Sequence, residues 1–214
     1  MNIAAEIRDV APETLADFRP TATEAGPAPK RIVVGYGFWI FLLSDIVMFA
    51  ALFAAYAVLV HATAGGPAGP QLFSQVNVAI ETACLLASSY TCGLMSLAVN
   101  SRRRGAFYLA AVVTLALGAA FLALEIREFA DMIARGATPQ SSAFLSAFFT
   151  LVGSHGLHVT VGLVWLVVMM AQVAARSFQA NVVRRLFCFS LFWHALDIIW
   201  VALFTVVYLM GVRS

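Results

Sequence analysis

Charge is what this sequence has least of. Only 11% of its 214 residues are Asp, Glu, Lys or Arg, while 62% are apolar. A soluble domain carries roughly a quarter charged residues, so the composition excludes an ordinary soluble fold and points to a membrane protein. A secretory signal is missing too: Met1 to Lys30 is rich in acids, Ala and Pro and contains no apolar core segment, so it reads as a polar tail. Cysteine is scarce. Cys84, Cys92 and Cys188 all lie in apolar segments, and no two make a Cys-x-x-Cys pair. That argues against a disulfide framework or a zinc site and for free thiols packed as small core residues. The net charge is +2, its distribution says more than its total, and no nucleic acid is expected as a partner.

What is present is a set of long apolar runs. Five of them, Val33–Val60, Gln75–Val99, Ala106–Ala130, Ser142–Val173 and Leu186–Val212, each exceed the ~20 residues needed to cross a bilayer core of ~30 Å. The expected fold is therefore all-α: an integral membrane bundle of five transmembrane helices over residues 33–214, preceded by a polar tail over 1–32. The connections are a Gly/Pro loop (Gly65-Gly66-Pro67-Ala68-Gly69-Pro70), an arginine turn, a short loop around Arg135 to Pro139 and a basic linker from Ala174 to Arg185. Arg8, Arg19, Lys30 and Arg31 lie in the tail, Arg102, Arg103 and Arg104 in the second connection, and Arg176, Arg184 and Arg185 in the fourth. Ten of the 13 cations thus lie on one side, which the positive-inside rule makes cytoplasmic. The N-terminus is then cytoplasmic and the C-terminus periplasmic.

The acids are distributed the other way. Five lie in the tail; the other six, Asp45, Glu81, Glu125, Glu128, Asp131 and Asp197, lie inside or at the edge of apolar segments. A carboxyl in mid-membrane costs about 2.5–3.5 kcal/mol on the insertion scale and by default faces protein or a polar cavity. Asp45, midway along the first span, reads either as a proton-active or partner-facing carboxyl or as a neutral acid bonded to a neighbour. Phe41, Asp45 and Phe49 share a face at helical spacing, and Ala50, Ala51, Ala54 and Ala55 offer a small-residue surface for close packing. Glu125 and Glu128 read either as part of an interfacial charge cluster with Arg127 and Asp131, or as an inward pair with Glu125 bonded to a histidine and Glu81 joining from the second span.

Two histidine motifs have i,i+3 spacing, His155/His158 and His194/Asp197. Glu-x-x-His pairs at this spacing build di-iron sites in helical bundles, so a metal site is open by inventory, with Glu81, Glu125 and Asp45 as further ligands. The alternative is an interhelical polar network, which the scattered depths of these residues favour. Gly153 and Gly156 would let a neighbouring helix approach this network.

At these residues the chain resembles a known family. Ser154-His155-Gly156-Leu157-His158-Val159, followed by Phe192-Trp193-His194-Ala195-Leu196-Asp197-Ile198-Ile199-Trp200, looks like subunit III of the haem–copper respiratory oxidases. Phe38-Trp39-Ile40-Phe41-Leu42-Leu43-Ser44-Asp45 looks like that family's first shared helix, with Asp45 where cytochrome c oxidases commonly carry Glu. Leu124-Glu125-Ile126-Arg127-Glu128-Phe129 is similar to its third-helix signature. Many members have seven helices; the five here are most similar to subunit III of bo-type ubiquinol oxidases. Other five-helix oxidase subunits and relatives in nitric-oxide reductase clusters are the alternative within the family, and a stand-alone proton or ion transporter is the alternative outside it.

The resemblance implies an accessory role in the bacterial inner membrane. No catalytic, cofactor-binding or metal-binding residue is expected on this chain. Haem and copper would lie in subunit I, where oxygen is reduced and protons are pumped. Subunits I and II, a small subunit IV and phospholipid would be its partners, and ubiquinol the substrate of the complex. Asp45 would occupy the position of the lipid-cleft carboxyl. Glu81, Glu125, Glu128, His155, His158, His194 and Asp197 would form the internal polar network. Arg102, Arg103, Arg104 and Arg176 suit anionic lipid head groups.

Overall fold

The computed structural model describes residues 30–63 and 75–210, and the described residues contain helix and no strand. The helices are α1 (Lys30–Leu59), α2 (Gln75–Asn100), α3 (Arg104–Ala134), α4 (Ala143–Arg176) and α5 (Ala180–Leu203), the last continued by a π-helical turn, Phe204–Met210. All five are long and apolar enough to cross a membrane. The tail before Lys30, the Gly/Pro loop and the C-terminal Gly211 to Ser214 lie outside the described residues.

One sequence rule positions the helices against each other. Inward residues recur at alternating steps of three and four. On α2 they are Val78, Glu81, Leu85, Ser88, Cys92, Met95 and Val99; on α4, Leu145, Phe148, Val152, His155, Val159, Gly162, Leu166, Met169 and Val173. The same alternation runs through α3 (Phe107, Ala111, Thr114, Gly118, Phe121, Glu125) and α5 (Val182, Leu186, Phe189, Trp193, Leu196, Trp200, Leu203). A sustained seven-residue repeat keeps one seam facing the partner only if helices wind gently left-handed, as in membrane bundles that cross near +20°.

Helices α2, α3, α4 and α5 close a ring in which each packs on the next and α5 returns to α2. Helix α1 lies outside, packed on α4 and α5 through every seventh residue: Gly35, Leu42, Phe49 and Tyr56. Half of the most apolar stretch of α5 is buried (50%), against 11% for α1, which makes α5 the axis and α1 the periphery.

The observed helices correct three expectations. Helix α3 runs four residues past the expected end, to Ala134, and α5 starts at Ala180, so Arg184 and Arg185 lie on a helix and only Ser177-Phe178-Gln179 link α4 to α5. Charged residues ended the apolar runs in the sequence, but a helix continues into the head-group layer while nothing breaks it. Gly136 provides such a break after α3: at φ +82° it permits the turn in which Ala137 N–H reaches Met132 O at 3.0 Å. The alanine face of α1 is not covered by the described residues. Ala50, Ala51, Ala54 and Ala55 are exposed, as is Phe41, and Asp45 is half-buried beside the Leu42/Phe49 seam. Small size marks a surface that permits close approach; it does not say which chain approaches.

Candidate functional site: two polar layers inside the bundle

Trp193 is the side chain on which four helices converge. Its ring, carried by α5, lies over two glycines. A Cβ on Gly162 of α4 would stand 2.8 Å from Trp193 Cζ3, and one on Gly118 of α3 would stand 3.0 Å from Trp193 Cη2. Its indole N–H donates to Ser88 Oγ on α2 at 3.1 Å. Seven residues on, two turns along the same face, Trp200 Nε1 donates to Thr82 Oγ1 at 3.1 Å. Both hydroxyls give their own protons to their helix, Ser88 to Leu85 O at 2.7 Å and Thr82 to Val78 O at 2.8 Å. That leaves a lone pair aimed outward for each indole.

The ladder continues with Ser89 Oγ and His194 Nδ1 at 2.8 Å, and with Ser96 Oγ donating to Ser190 Oγ at 3.2 Å. Ser89 also faces Asp197. On the other side of α2, Thr91 and Thr114 share a hydroxyl bond of 2.7 Å. Of these residues, His194 and Asp197 form a motif visible in the sequence, and Ser88, Thr91, Thr114 and Ser190 lie on the less apolar stripes of their helices. The missed signal was the pair of tryptophans: an indole N–H in hydrocarbon needs an acceptor, and hydroxyls on a facing helix at matching spacing supply one here.

A second polar layer lies at the end of the bundle away from the arginine turns. Glu81 of α2 and Glu125 of α3 are buried at 1% and 3% exposure, and Glu128 is half-buried. The three are close enough to act on one another electrostatically, as each does on Tyr208. Tyr208 lies in the π-helical turn and is buried there beside Val207. Tyr56 of α1 reaches the same layer. Both oxygens of Glu81, one each of Glu125 and Glu128, and the Tyr56 hydroxyl are buried without a hydrogen-bond partner among the described residues.

His155 is fully buried next to this layer, with both ring nitrogens unpartnered among the described residues. Its ring is held by aromatic contacts instead: Phe121 edge-on at 5.8 Å between centroids, Trp200 at 5.2 Å and Phe49 at 6.4 Å. His158 sits one turn away against Phe49 at 5.3 Å, and its Nδ1 donates to Ser154 O at 2.7 Å. Gly156 admits a carboxyl, not a neighbouring backbone: a Cβ there would lie 2.7 Å from Glu125 Oε1. Gly153 has ordinary contact distance to Phe129, 3.7 Å, so close helix approach does not depend on it.

The structure therefore divides the candidate residues. Glu81, Glu125, Glu128 and His155 lie toward one end of the bundle, while His194 and Asp197 lie in the Ser89 ladder. Asp45 sits at the α1 seam. Among the described residues no group of three or more His, Cys, Asp or Glu side chains could hold a metal ion. The aromatic enclosure of His155 and the separation of the two histidine motifs fit neither haem nor a di-metal centre. Arg102, Arg103, Arg104 and Arg176 are all exposed at the opposite end.

A five-helix membrane bundle with these motifs in order defines the class. The family model for cytochrome c oxidase subunit III matches residues 8–212, and the chain belongs to that family. Among curated relatives it is similar to the cytochrome bo(3) ubiquinol oxidase subunit 3 of Pseudomonas aeruginosa, at 54% identity over 176 residues covering 82% of this chain and 84% of that protein. Its similarity to the protein of the same name in Pseudomonas putida is 48%, over 82% of this chain and 85% of the relative. To the quinol oxidase subunit 3 of Bacillus subtilis it is 44% identical, over 82% and 86%.

Proposed function

We propose that this chain is the non-catalytic subunit III of a bo-type quinol oxidase, stabilising the subunit that reduces oxygen and pumps protons. The observation that carries this reading is the 54% identity, over 82% of this chain and 84% of the relative, to a bo(3) ubiquinol oxidase subunit 3. In this reading the arginine end is cytoplasmic, the membrane is the bacterial inner membrane, and the partners are subunits I and II and a small subunit IV. Haem and copper belong to subunit I. The carboxyl–histidine layer and the Ser89/His194/Asp197 contacts hold the helices in one arrangement. Arg102, Arg103, Arg104 and Arg176 meet anionic head groups, and Asp45 at the α1 seam faces bound lipid and supports proton uptake.

Affinity isolation of the tagged chain from its native membrane tests the reading. The expected result is a complex with a haem-bearing subunit that oxidises ubiquinol and consumes oxygen. Isolation with a subunit bearing a dinuclear copper centre and turnover on reduced cytochrome c would overturn the quinol assignment; isolation as a lone chain would overturn the accessory role. Within the intact complex, Asp45→Ala is expected to shorten turnover lifetime while preserving the initial rate, and an immediate loss of initial rate contradicts that role.

A further inference from the structure

Toward the end of α3 the acids Glu125, Glu128 and Asp131 follow one another at intervals of three residues. Three residues fall about 60° short of a full helical turn, so the file winds around α3 from its inner to its outer face. Exposure follows the winding: Glu125 is 3% exposed, Glu128 half-buried and Asp131 exposed. Side chains three apart start only ~5–6 Å from each other, a gap that two carboxyls close with one water molecule between them. Glu81, facing from α2 at 1% exposure, is the innermost acid. Each acts electrostatically on the next: Asp131 on Glu128, Glu128 on Glu125 and Glu81, and Glu81 on Glu125.

The helices around the inner end are shaped to this file. On α4, a Cβ on Gly156 would stand 2.7 Å from Glu125 Oε1 and 2.8 Å from Oε2, so the missing side chain is what admits the carboxyl. Tyr56 of α1 is 2% exposed, and its hydroxyl has no partner among the described residues. Tyr56 and the three glutamates all act on Tyr208 of the π-helical turn, which places that hydroxyl at the same layer. His155 offers two unpartnered ring nitrogens, whereas His158 is committed through Nδ1 to Ser154 O. Deeper in, Phe121, Trp200 and Phe49 enclose the His155 ring. Arg127 and Arg135, the cations on this stretch, are exposed, so the inner acids are expensive to leave ionised. The described acids and histidines are not grouped to hold a metal ion. What such a file suits is a proton: a carboxyl can both give and take one, and chains of Asp, Glu and His inside membranes mark proton routes.

We propose that Asp131, Glu128, Glu125 and Glu81 form a one-ended proton path, exchanging protons between the water at this end of the bundle and a buried store at Glu81 and Glu125. A hydronium at the surface gives its proton to Asp131. Asp131 passes a proton to a water molecule entering beside Glu128, and that water releases another of its protons to Glu128. The same exchange carries the proton on to Glu125, and rotation of the two inner carboxyls carries it to Glu81. Each donor is left as the base that takes the next proton, so the step balances without a redox partner. The aromatic shell around His155 ends the path, which makes it a store and not a channel. The proposal goes beyond the accessory role and rests on the chain lying in a bilayer; it does not require the chain to serve a quinol oxidase.

The test is infrared spectroscopy of the complex in its native membrane, perfused from H2O to D2O, since the carbonyl stretch of a protonated carboxyl shifts on deuteration. Subtracting the spectra of Glu81→Gln and of Glu125→Gln from that of the unaltered complex isolates the inner pair. At least one protonated carboxyl that exchanges is expected there. Glu128→Gln keeps the shape of the side chain but cannot relay, and should slow that exchange by about two orders of magnitude, the worth of a positioned acid–base group. Glu128→Asp should restore most of the rate, which separates a lost relay from a lost fold. Asp131→Asn should slow it less, because surface water reaches Glu128 directly. Absence of any protonated carboxyl assignable to Glu81 or Glu125 would overturn the store. A protonated carboxyl that never exchanges would overturn the path, as would an equal or faster exchange in Glu128→Gln. These readouts are of proton exchange, so they stand whether or not turnover on ubiquinol is found.

Discussion

Two polar regions follow one another inside the bundle and differ in how their polar atoms are satisfied, Asp197 Oδ1 being the ladder's own atom without a partner among the described residues. In the ladder, every hydroxyl and indole has a partner: Ser88 with Trp193, Thr82 with Trp200, Ser89 with His194 and Ser96 with Ser190. In the carboxyl layer, Glu81, Glu125, Glu128, Tyr56 and His155 carry buried polar atoms with none among the described residues. A serine can give its proton to its own helix and still accept an indole, so one small residue settles two needs. A carboxyl offers two oxygens and finds around it other carboxyls, tyrosines and aromatic rings. The first region holds helices together. The second retains polar groups at a stability cost, which is where local rules are broken for function or for interaction with groups outside this chain.

The largest effect expected is at the centre of the ladder. Trp193→Ala removes a buried ring that fills the space over Gly118 and Gly162 and leaves Ser88 without its donor. A loss of about 3–5 kcal/mol is expected, read as unfolding at lower SDS in mixed micelles, and an effect below that of a single hydroxyl deletion would break the comparison at its strongest point. Next is Gly162→Ala, which drives a methyl against Trp193 Cζ3 at 2.8 Å. Overpacking of this kind costs about 1–3 kcal/mol, and Trp193→Phe in the same chain should recover part of it.

The carboxyl layer should respond with the other sign. Glu81→Leu removes two unpartnered oxygens and replaces them with packed hydrocarbon, so stability should hold or rise by about 1–2 kcal/mol. A clear fall would show that ordered water or a partner subunit already satisfies Glu81. Gly156→Ala sharpens the contrast, since the nearest atoms its methyl meets are those of the Glu125 carboxyl. Paired with Glu125→Ala, it should give a coupling of about 0.5–3 kcal/mol in a double-mutant cycle. The smallest effect is at the end of the ladder. Ser96→Ala breaks a 3.2 Å hydroxyl pair beside an open groove and should cost about 0.6 kcal/mol, the average for interhelical bonds in membranes. A cost matching Trp193→Ala would mean that the ladder acts as one cooperative unit.

The five spans were legible because bilayer thickness demands runs of this length, and the family was legible because its motifs are contiguous in sequence. Side-chain direction was less so. On α1 the polar and alanine positions suggested the packing face, whereas Gly35, Leu42, Phe49 and Tyr56 form it. On α5 the polar stripe Ser190, His194 and Asp197 is half-buried, and the axis runs instead through Phe189, Trp193, Leu196 and Trp200. In a soluble helix the apolar face announces itself; here lipid is as apolar as the core, and what selects the inner face is shape.

Sequence alone therefore determined that this chain carries five runs long and apolar enough to cross a membrane and that six of its acids lie in or at the edge of them. It also determined the family, through local strings such as Ser154-His155-Gly156-Leu157-His158. Only the tertiary structure decided which polar groups meet. That Trp193 rests on two glycines from different helices, that Glu125 lies over Gly156, and that the two histidine motifs serve separate layers all follow from how helices distant in sequence are rotated against each other. Hydropathy fixes how deep a residue lies, because depth is a matter of length along one helix. Partners are a matter of angle between helices, and that is set by the packing of every side chain in the seam at once.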